Sequence, residues 1–358
     1  MRATGSLERH DARNVFIMTY LLVFFIAAAA AFLTTPLARR LSLRWGVVAR
    51  PGGRRLHQGV IPKLGGIPLL VGYLAAMPLI YWLVPPAGDD ALRLRGVLLG
   101  TLIMFVGGWL DDRYDLSPRL NFLIQGAGAI VAMAHIIFIE LFTNPLNGEP
   151  VTFLRWFALL FSLFWMMGMM NAVNFLDGVD GLAAGVGIIA LLMFAWHSAR
   201  LGEQSQVSLY AVPLFPIALA GALVGFLPFN FAPARIYLGT AGVYLLGYNL
   251  ATLAILSPAK IATALLVLAI PILDVAWRVV DRVVHGRSPF QGDRGHLHFL
   301  LVDRGIRARP LVLGYYLVAA ALGMVAILAD ERTKLITFLL TGVAMAALLG
   351  WLTLRKSS

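Results

Sequence analysis

Runs of about twenty apolar residues recur from one end of this chain to the other, beginning with YLLVFFIAAAAAFL at positions 20–33. A helix of about twenty such residues crosses the roughly 30 Å hydrocarbon core of a bilayer. No water is available at that depth, and a helix satisfies its own backbone hydrogen bonds segment by segment. Composition agrees with this reading. Of the 358 residues, 59% are hydrophobic and mean hydropathy is +0.81, well above the apolar usage of about 45–50% in soluble domains. The chain therefore reads as an all-α, polytopic integral membrane protein. Cys is absent, which removes disulfides, thiolate nucleophiles and thiolate metal sites.

Eleven spans are expected, over 15–38, 64–86, 94–110, 120–143, 153–172, 182–200, 207–228, 236–256, 260–280, 310–329 and 333–354. The first is long enough to stay as an anchor rather than be cleaved as a signal peptide. Residues 1–14 then form an outer tail, 15–354 one transmembrane domain, and 355–358 a cytoplasmic tail. The loops after spans 1, 3, 5, 7 and 9, with the C-terminal tail, carry 19 of the 29 Lys and Arg. Cytoplasmic loops are enriched in these residues, so the loops near 39–63, 111–119, 173–181, 229–235 and 281–309 are assigned to the cytoplasm. The same asymmetry accounts for the net charge of +11 without invoking nucleic acid as a partner. The acids sort as well: nine Asp lie on or next to the cytoplasmic face, and all five Glu lie on the other side. Short, stiff Asp suits tight placement of metal ions and diphosphates.

Four stretches on that face carry chemistry. In GGWLDDRYDLSP (107–118), Asp111 and Asp112 emerge where a span ends and Asp115 follows one turn on. Adjacent carboxylates repel unless a cation or proton sits with them, although a plain acidic helix end reads the same way. In NAVNFLDGVDGL (171–182), Asn171, Asn174, Asp177 and Asp180 fall at a spacing of three, which keeps neighbours on one helical face. A simple helix cap needs one such residue. In HGRSPFQGDRGHLHF (285–299), Arg287 and Arg294 suit bidentate phosphate binding, and His296 and His298 suit diphosphate contact, proton transfer or metal ligation. Zinc is disfavoured because the companion acids are hard oxygen donors. In RRLHQGVIPKLGG (54–66), His57 and Lys63 make a cationic entry to a span, which basic flanks of cytoplasmic spans also explain. Carboxylates, amides, guanidinium and imidazole gathered at one membrane surface suit phosphate chemistry on a lipid.

DDRYDLSP, NAVNFLDGVDGLAAG and SPFQGDRGHLH, in this order and spacing, resemble the polyprenyl-phosphate N-acetylhexosamine-1-phosphate transferases (the WecA, TagO and MraY types, glycosyltransferase family 4). The resemblance covers about residues 50–310, and the histidine segment is closer to the WecA and TagO types. It implies transfer of a HexNAc 1-phosphate, GlcNAc-1-phosphate foremost, from a UDP-sugar to undecaprenyl or another polyprenyl phosphate, with release of UMP. It also implies Mg²⁺ as cofactor, with Mn²⁺ as a substitute, a bacterial cell-membrane location with a cytoplasmic active site, and it admits a homodimer. Asp111, Asp112 and Asp180 match catalytic positions. Asn174 and Asp112 match metal positions, and Lys63, Asn171, Asp177, Arg294, His296 and His298 match substrate positions. The usual third histidine is Phe299.

One departure stands out. RIYLGTAGVYLLG (235–247) aligns with a family segment that reads GDAGS or GDVGS, and its Asp, a principal Mg²⁺ ligand, is replaced here by Thr240. A hydroxyl is a poorer Mg²⁺ ligand than a carboxylate. A homologue of weak or lost turnover that still binds nucleotide or polyprenyl phosphate is therefore the alternative reading. A secondary transporter is a more distant one, because such folds place their sites at midplane between internal repeats. Direct attack by the lipid phosphate and passage through an aspartyl intermediate are both left open.

Overall fold

The computed structural model describes residues 4–49, 59–205, 212–256, 260–286 and 295–354. Among these, thirteen helices and two short hairpins account for the regular structure. In order they are α1 (Thr4–Trp45), β1 (Val48–Ala49), β2 (Ile61–Pro62), α2 (Gly66–Leu83), α3 (Gly88–Tyr114), α4 (Pro118–Ala134), β3 (Leu141–Thr143), β4 (Pro150–Thr152), α5 (Arg155–Leu176), α6 (Leu182–Ser205) and α7 (Leu214–Asn230). There follow α8 (Gly239–Ile255), α9 (Lys260–Val267), α10 (Ala269–Val284), α11 (Leu297–Asp303), α12 (Ala308–Leu328) and α13 (Glu331–Leu354).

Helix is found within each of the eleven apolar runs among the described residues, without fixing how many of them cross the membrane, and the protein is an all-α polytopic membrane protein. Among the described residues seven helices are long and apolar enough to cross a membrane, or eight if the bent pair α9–α10 is one span. The apolar helices α7 and α8 have 17 residues each, as does α4, about 25 Å at 1.5 Å per residue, the lower limit for a crossing.

Three expected segments differ in form. The span drawn over 120–143 stops at Ala134, where the ring Nδ1 of His135 lies 2.8 Å from the Val131 carbonyl, and β3 pairs antiparallel with β4 beyond it. The span drawn over 260–280 is broken at Leu268, with α9 and α10 inclined by 79°. Residues 4–14, drawn as a tail, continue α1.

Close backbone approach and buried polar bonds hold the bundle, as expected where lipid supplies no hydrophobic drive between helices. On α7, a Cβ at Gly221 or Gly225 would strike the α1 carbonyls of Phe24 and Ala28. Between α3 and α8, Asn249 Nδ2 donates to Thr101 Oγ1 at 2.8 Å and Tyr248 donates to the Gly96 carbonyl at 2.8 Å. Trp165 of α5 donates to the Ala251 carbonyl at 3.1 Å. α8 is therefore the central post, buried along almost its whole length. Its N-terminus meets the ends of α3, α5 and α7 and the start of α2, and the polar motifs gather there.

If that end faces the cytoplasm, cysteines at Val60 and Asn147, both exposed, should label from opposite sides. An impermeant maleimide on oriented membranes should reach Asn147→Cys from outside and Val60→Cys only after permeabilisation. Labelling of both from one side would overturn the charge assignment.

Candidate active site

The acidic pair closes the C-terminal end of α3 and docks on the N-terminus of α8. Asp111 Oδ1 accepts from the Leu116 backbone N–H at 3.1 Å and Asn121 Nδ2 at 2.8 Å, and its Oδ2 accepts from Thr240 Oγ1 at 2.7 Å. Asp112 is buried; its Oδ2 accepts from the Ala241 N–H at 3.0 Å, and Lys63 Nζ stands 2.9 Å from its Oδ1. Amide donors at a helix N-terminus favour an anion, so α8 holds a carboxylate that α3 alone would repel. Gly239 opens this turn at φ +70°, and a Cβ there would strike the Lys63 carbonyl and come within 2.6 Å of Asp112 Oδ2. Only glycine tolerates both demands. Lys63 is brought in by the β1–β2 hairpin, with Tyr237 N–H donating to the Pro62 carbonyl at 2.8 Å. Asp115, by contrast, caps α3 at φ +52° and is exposed.

The amide and carboxylate series divides. α5 ends at Leu176, so the helical register of three does not carry through to Asp180. Asn171 is engaged within the bundle, donating to Gln125 Oε1 at 2.8 Å and to the Met167 carbonyl at 2.7 Å. Asn174 is exposed at the helix end. Asp177 is the C-cap of α5, and desolvation, then the carboxylates of Asp180 and Asp112, push it well above the usual carboxylate range while Lys63 pulls it back. Asp180 Oδ2 accepts from the Ala234 N–H at 2.8 Å, tying this turn to the loop before α8. Lys63, Asp111, Asp112, Asp177, Asp180 and Thr240 thus share one region. Arg294, with Arg287 and His57, lies outside the described residues.

The histidines reach this region from the other side. His296 and His298 are each 2% exposed, with parallel rings 5.9 Å apart. Phe175 stacks on His296 at 4.7 Å, and Phe299 lies against His298 at 4.3 Å. A Cβ on Gly178 would strike His298 Nε2, so the NFLDGVDG turn and the histidine segment are in direct contact. Asp274 of α10 is buried beneath them: its Oδ2 lies 2.8 Å from His296 Nδ1, and its Oδ1 accepts from the Leu297 N–H at 2.9 Å. This pairing leaves Nε2 as the other ring nitrogen of His296, and that buried atom has no hydrogen-bond partner among the described residues. Asp274 was not singled out from the sequence as a site residue. The available signal was a lone acid inside an apolar run, where an ionisable group marks function by default.

Burial lowers the pKa of His298 from 6.5 to about 4, against the opposing pull of Asp274. The unfolded chain takes up this proton below about pH 6.5, the fold only near 4. Stability from this group is therefore complete above pH 6.5 and falls as pH drops through that window, by about 3 kcal/mol in all. Thermal midpoints in detergent from pH 8 to 4.5 should fall more for wild type than for His298→Gln. Parallel curves would show that His298 is not held neutral by burial.

Mg²⁺ typically takes one or two carboxylates and completes its octahedron with phosphate oxygens and water. Among the described residues no three His, Asp or Glu converge into a cage. Asp111 is held by protein donors and Asp112 by the Ala241 N–H and the Lys63 ammonium, whereas Asp177 is raised by desolvation and by the neighbouring carboxylates of Asp180 and Asp112. An under-compensated carboxylate beside the exposed Asn174 fits a cation that arrives with a diphosphate.

Residues 94–258 match the model of glycosyl transferase family 4. The chain is 29% identical over 329 residues to the "Probable undecaprenyl-phosphate N-acetylglucosaminyl 1-phosphate transferase" of Bacillus subtilis, covering 90% of this chain and 87% of the relative. It is 32% identical over 322 residues to the decaprenyl-phosphate N-acetylglucosaminephosphotransferase of Mycolicibacterium smegmatis, covering 83% and 78%. With the undecaprenyl-phosphate alpha-N-acetylglucosaminyl 1-phosphate transferase of Escherichia coli K12, identity is 30% over 349 residues, covering 92% and 88%. Similarity at this level covers most of the chain and of each relative, and the chain belongs to glycosyl transferase family 4, among the polyprenyl-phosphate N-acetylhexosamine-1-phosphate transferases.

Proposed function

We propose that this chain transfers GlcNAc-1-phosphate, or a close HexNAc relative, from a UDP-sugar to a polyprenyl phosphate at the cytoplasmic face of a bacterial cell membrane. The observation that carries this reading is the convergence of Lys63, Asp111–Asp112, Asp177–Asp180 and His296–His298 at one end of a membrane bundle. The names borne by relatives that match most of this chain support the substrate class.

In the reaction, an oxygen of the lipid phosphate attacks the sugar-bearing β-phosphorus. A new P–O bond forms, the bond from that phosphorus to the bridging oxygen breaks, and the electron pair leaves with UMP. Bound through Asp177 and Asn174 together with the diphosphate, Mg²⁺ would neutralise charge on the leaving group. Lys63 adds a positive charge beside the acids. Asp111 and Asp112 shape the site by pinning the α8 N-terminus. Their oxygens are already engaged, which favours direct attack over an aspartyl intermediate. His296, oriented by Asp274, presents Nε2 to a phosphate oxygen.

The test is UMP release by the purified full chain from UDP-GlcNAc and undecaprenyl phosphate, with and without Mg²⁺. Thr240 favours one rival, a binding homologue without turnover. UDP-GlcNAc binding with no UMP and no lipid product at any Mg²⁺ concentration would establish that rival.

A further inference from the structure

A cleft of about 530 Å³ opens between the end of α7, the 231–235 loop and the first turn of α12. Val224, Leu227, Pro228 and Phe231 give it an apolar wall, and Arg235 and Arg309, both exposed, line it as well. No carboxylate or imidazole of the active site lines this cleft, so a phosphate lodged in it is not offered the reacting groups. Arg309 also heads a stripe on α12. Leu313 and Leu317 follow it at intervals of one turn and are 56% and 72% exposed, which in a membrane helix is surface for acyl chains.

We propose that this cleft binds the phosphodiester headgroup of an anionic membrane phospholipid, its acyl chain lying along Leu313 and Leu317. The charge order fits: two guanidinium groups at the helix end, then apolar wall and stripe. Guanidinium matches phosphate oxygens bidentately, and basic pockets between helices on the cytoplasmic side suit acidic headgroups. The site is coupled to the active site by two hydrogen bonds. Arg309 Nε donates to the Ala232 carbonyl at 2.9 Å, and two residues on the Ala234 N–H donates to Asp180 Oδ2 at 2.8 Å. A lipid that orders Arg309 therefore stiffens the strap that holds Asp180. The proposal does not depend on the reaction proposed above.

The test uses the full chain in nanodiscs of phosphatidylcholine and phosphatidylglycerol, with tightly retained lipid counted by native mass spectrometry. Wild type should retain phosphatidylglycerol over phosphatidylcholine by about tenfold or more, the scale of two basic residues at an anionic interface. Arg235→Gln should weaken that preference and Arg235→Gln/Arg309→Gln should abolish it, while Arg119→Gln, on an exposed residue of α4, should match wild type. Because Arg235→Gln leaves the Arg309–Ala232 bond intact, its loss of lipid cannot be put down to a collapsed loop. Equal retention of phosphatidylcholine, or an unchanged lipid count in the double variant, would overturn the proposal. So would stoichiometric displacement by undecaprenyl phosphate at equal mole fraction, which makes the cleft an acceptor site, or by millimolar inorganic phosphate, which makes it a simple anion site.

Discussion

Asp112→Asn should lower UMP release by about 10²-fold, because it loosens the α8 N-terminus and Lys63 at the site, and misplacing catalytic groups by about 1 Å costs on that order. Its isosteric shape suggests a fold left untouched, but the structure argues otherwise. Asp112 is buried, with Lys63 Nζ 2.9 Å from one oxygen and the Ala241 N–H at 3.0 Å from the other. Removing one partner of a buried ion pair typically costs about 3–5 kcal/mol because the other charge is left uncompensated. Lys63 retains 19% side-chain exposure and is partly hydrated, so the low end of that range applies. The stability loss and the activity loss can be separated. Lys63→Met/Asp112→Asn removes both charges and should recover much of the thermal stability with no recovery of turnover. If the double variant regained turnover along with stability, Asp112 would be a structural residue only. If Asp112→Asn alone released UMP at the wild-type rate, the acidic pair would have no part in the chemistry.

Thr240→Asp should convert a neutral contact into a cation-dependent one. In this chain the Thr240 hydroxyl donates to Asp111 Oδ2 at 2.7 Å. A carboxylate in its place loses that donor and faces Asp111 directly. Two unit charges at about 4 Å repel by about 4 kcal/mol at an effective dielectric of 20, so without Mg²⁺ the variant should melt well below wild type. A divalent ion between the two carboxylates reverses the sign, and a tenfold gain in affinity needs only about 1.4 kcal/mol. Thermal melts in EDTA and across a Mg²⁺ titration read this without reference to activity. The variant should show the larger Mg²⁺-dependent rise and the lower Mg²⁺ midpoint for UMP release. Identical melts in EDTA, together with an unchanged midpoint and unchanged turnover, would place position 240 outside any metal-binding region and undo its alignment with the family's aspartate.

The two halves of the problem were unequally legible. Helical, membrane-embedded architecture follows from the apolar runs, because about twenty apolar residues in sequence dictate their own solvent and their own hydrogen bonding. The motifs were legible for the same local reason: Asp111–Asp112, the 171–182 stretch and His296–His298 are each contiguous, and they do meet at one end of the bundle. Less legible was what each member does there. Asn171 and Asn174 are alike in the sequence, yet one is spent on Gln125 and the other stands open at a helix end. Asp274 stands in the sequence as a lone acid inside an apolar run, and only the fold shows it to be the partner of His296.

The sequence by itself determined the class of molecule, its helices and the inventory of polar groups at one end, since these depend on hydropathy and composition within short windows. Only the tertiary structure decided which of those groups are already neutralised and which remain for a ligand. Thr240 and Asp111 stand 129 positions apart, and their hydrogen bond exists because α3 and α8 pack closely enough for Gly108 to lie against Ala241. The break at Leu268 is of the same kind: α10 turns away by 79° with Asp274 and Arg278 buried on one side and Val280 and Val284 exposed on the other. No local window contains that packing, because the energy of a buried charge depends on which distant donor the fold brings against it.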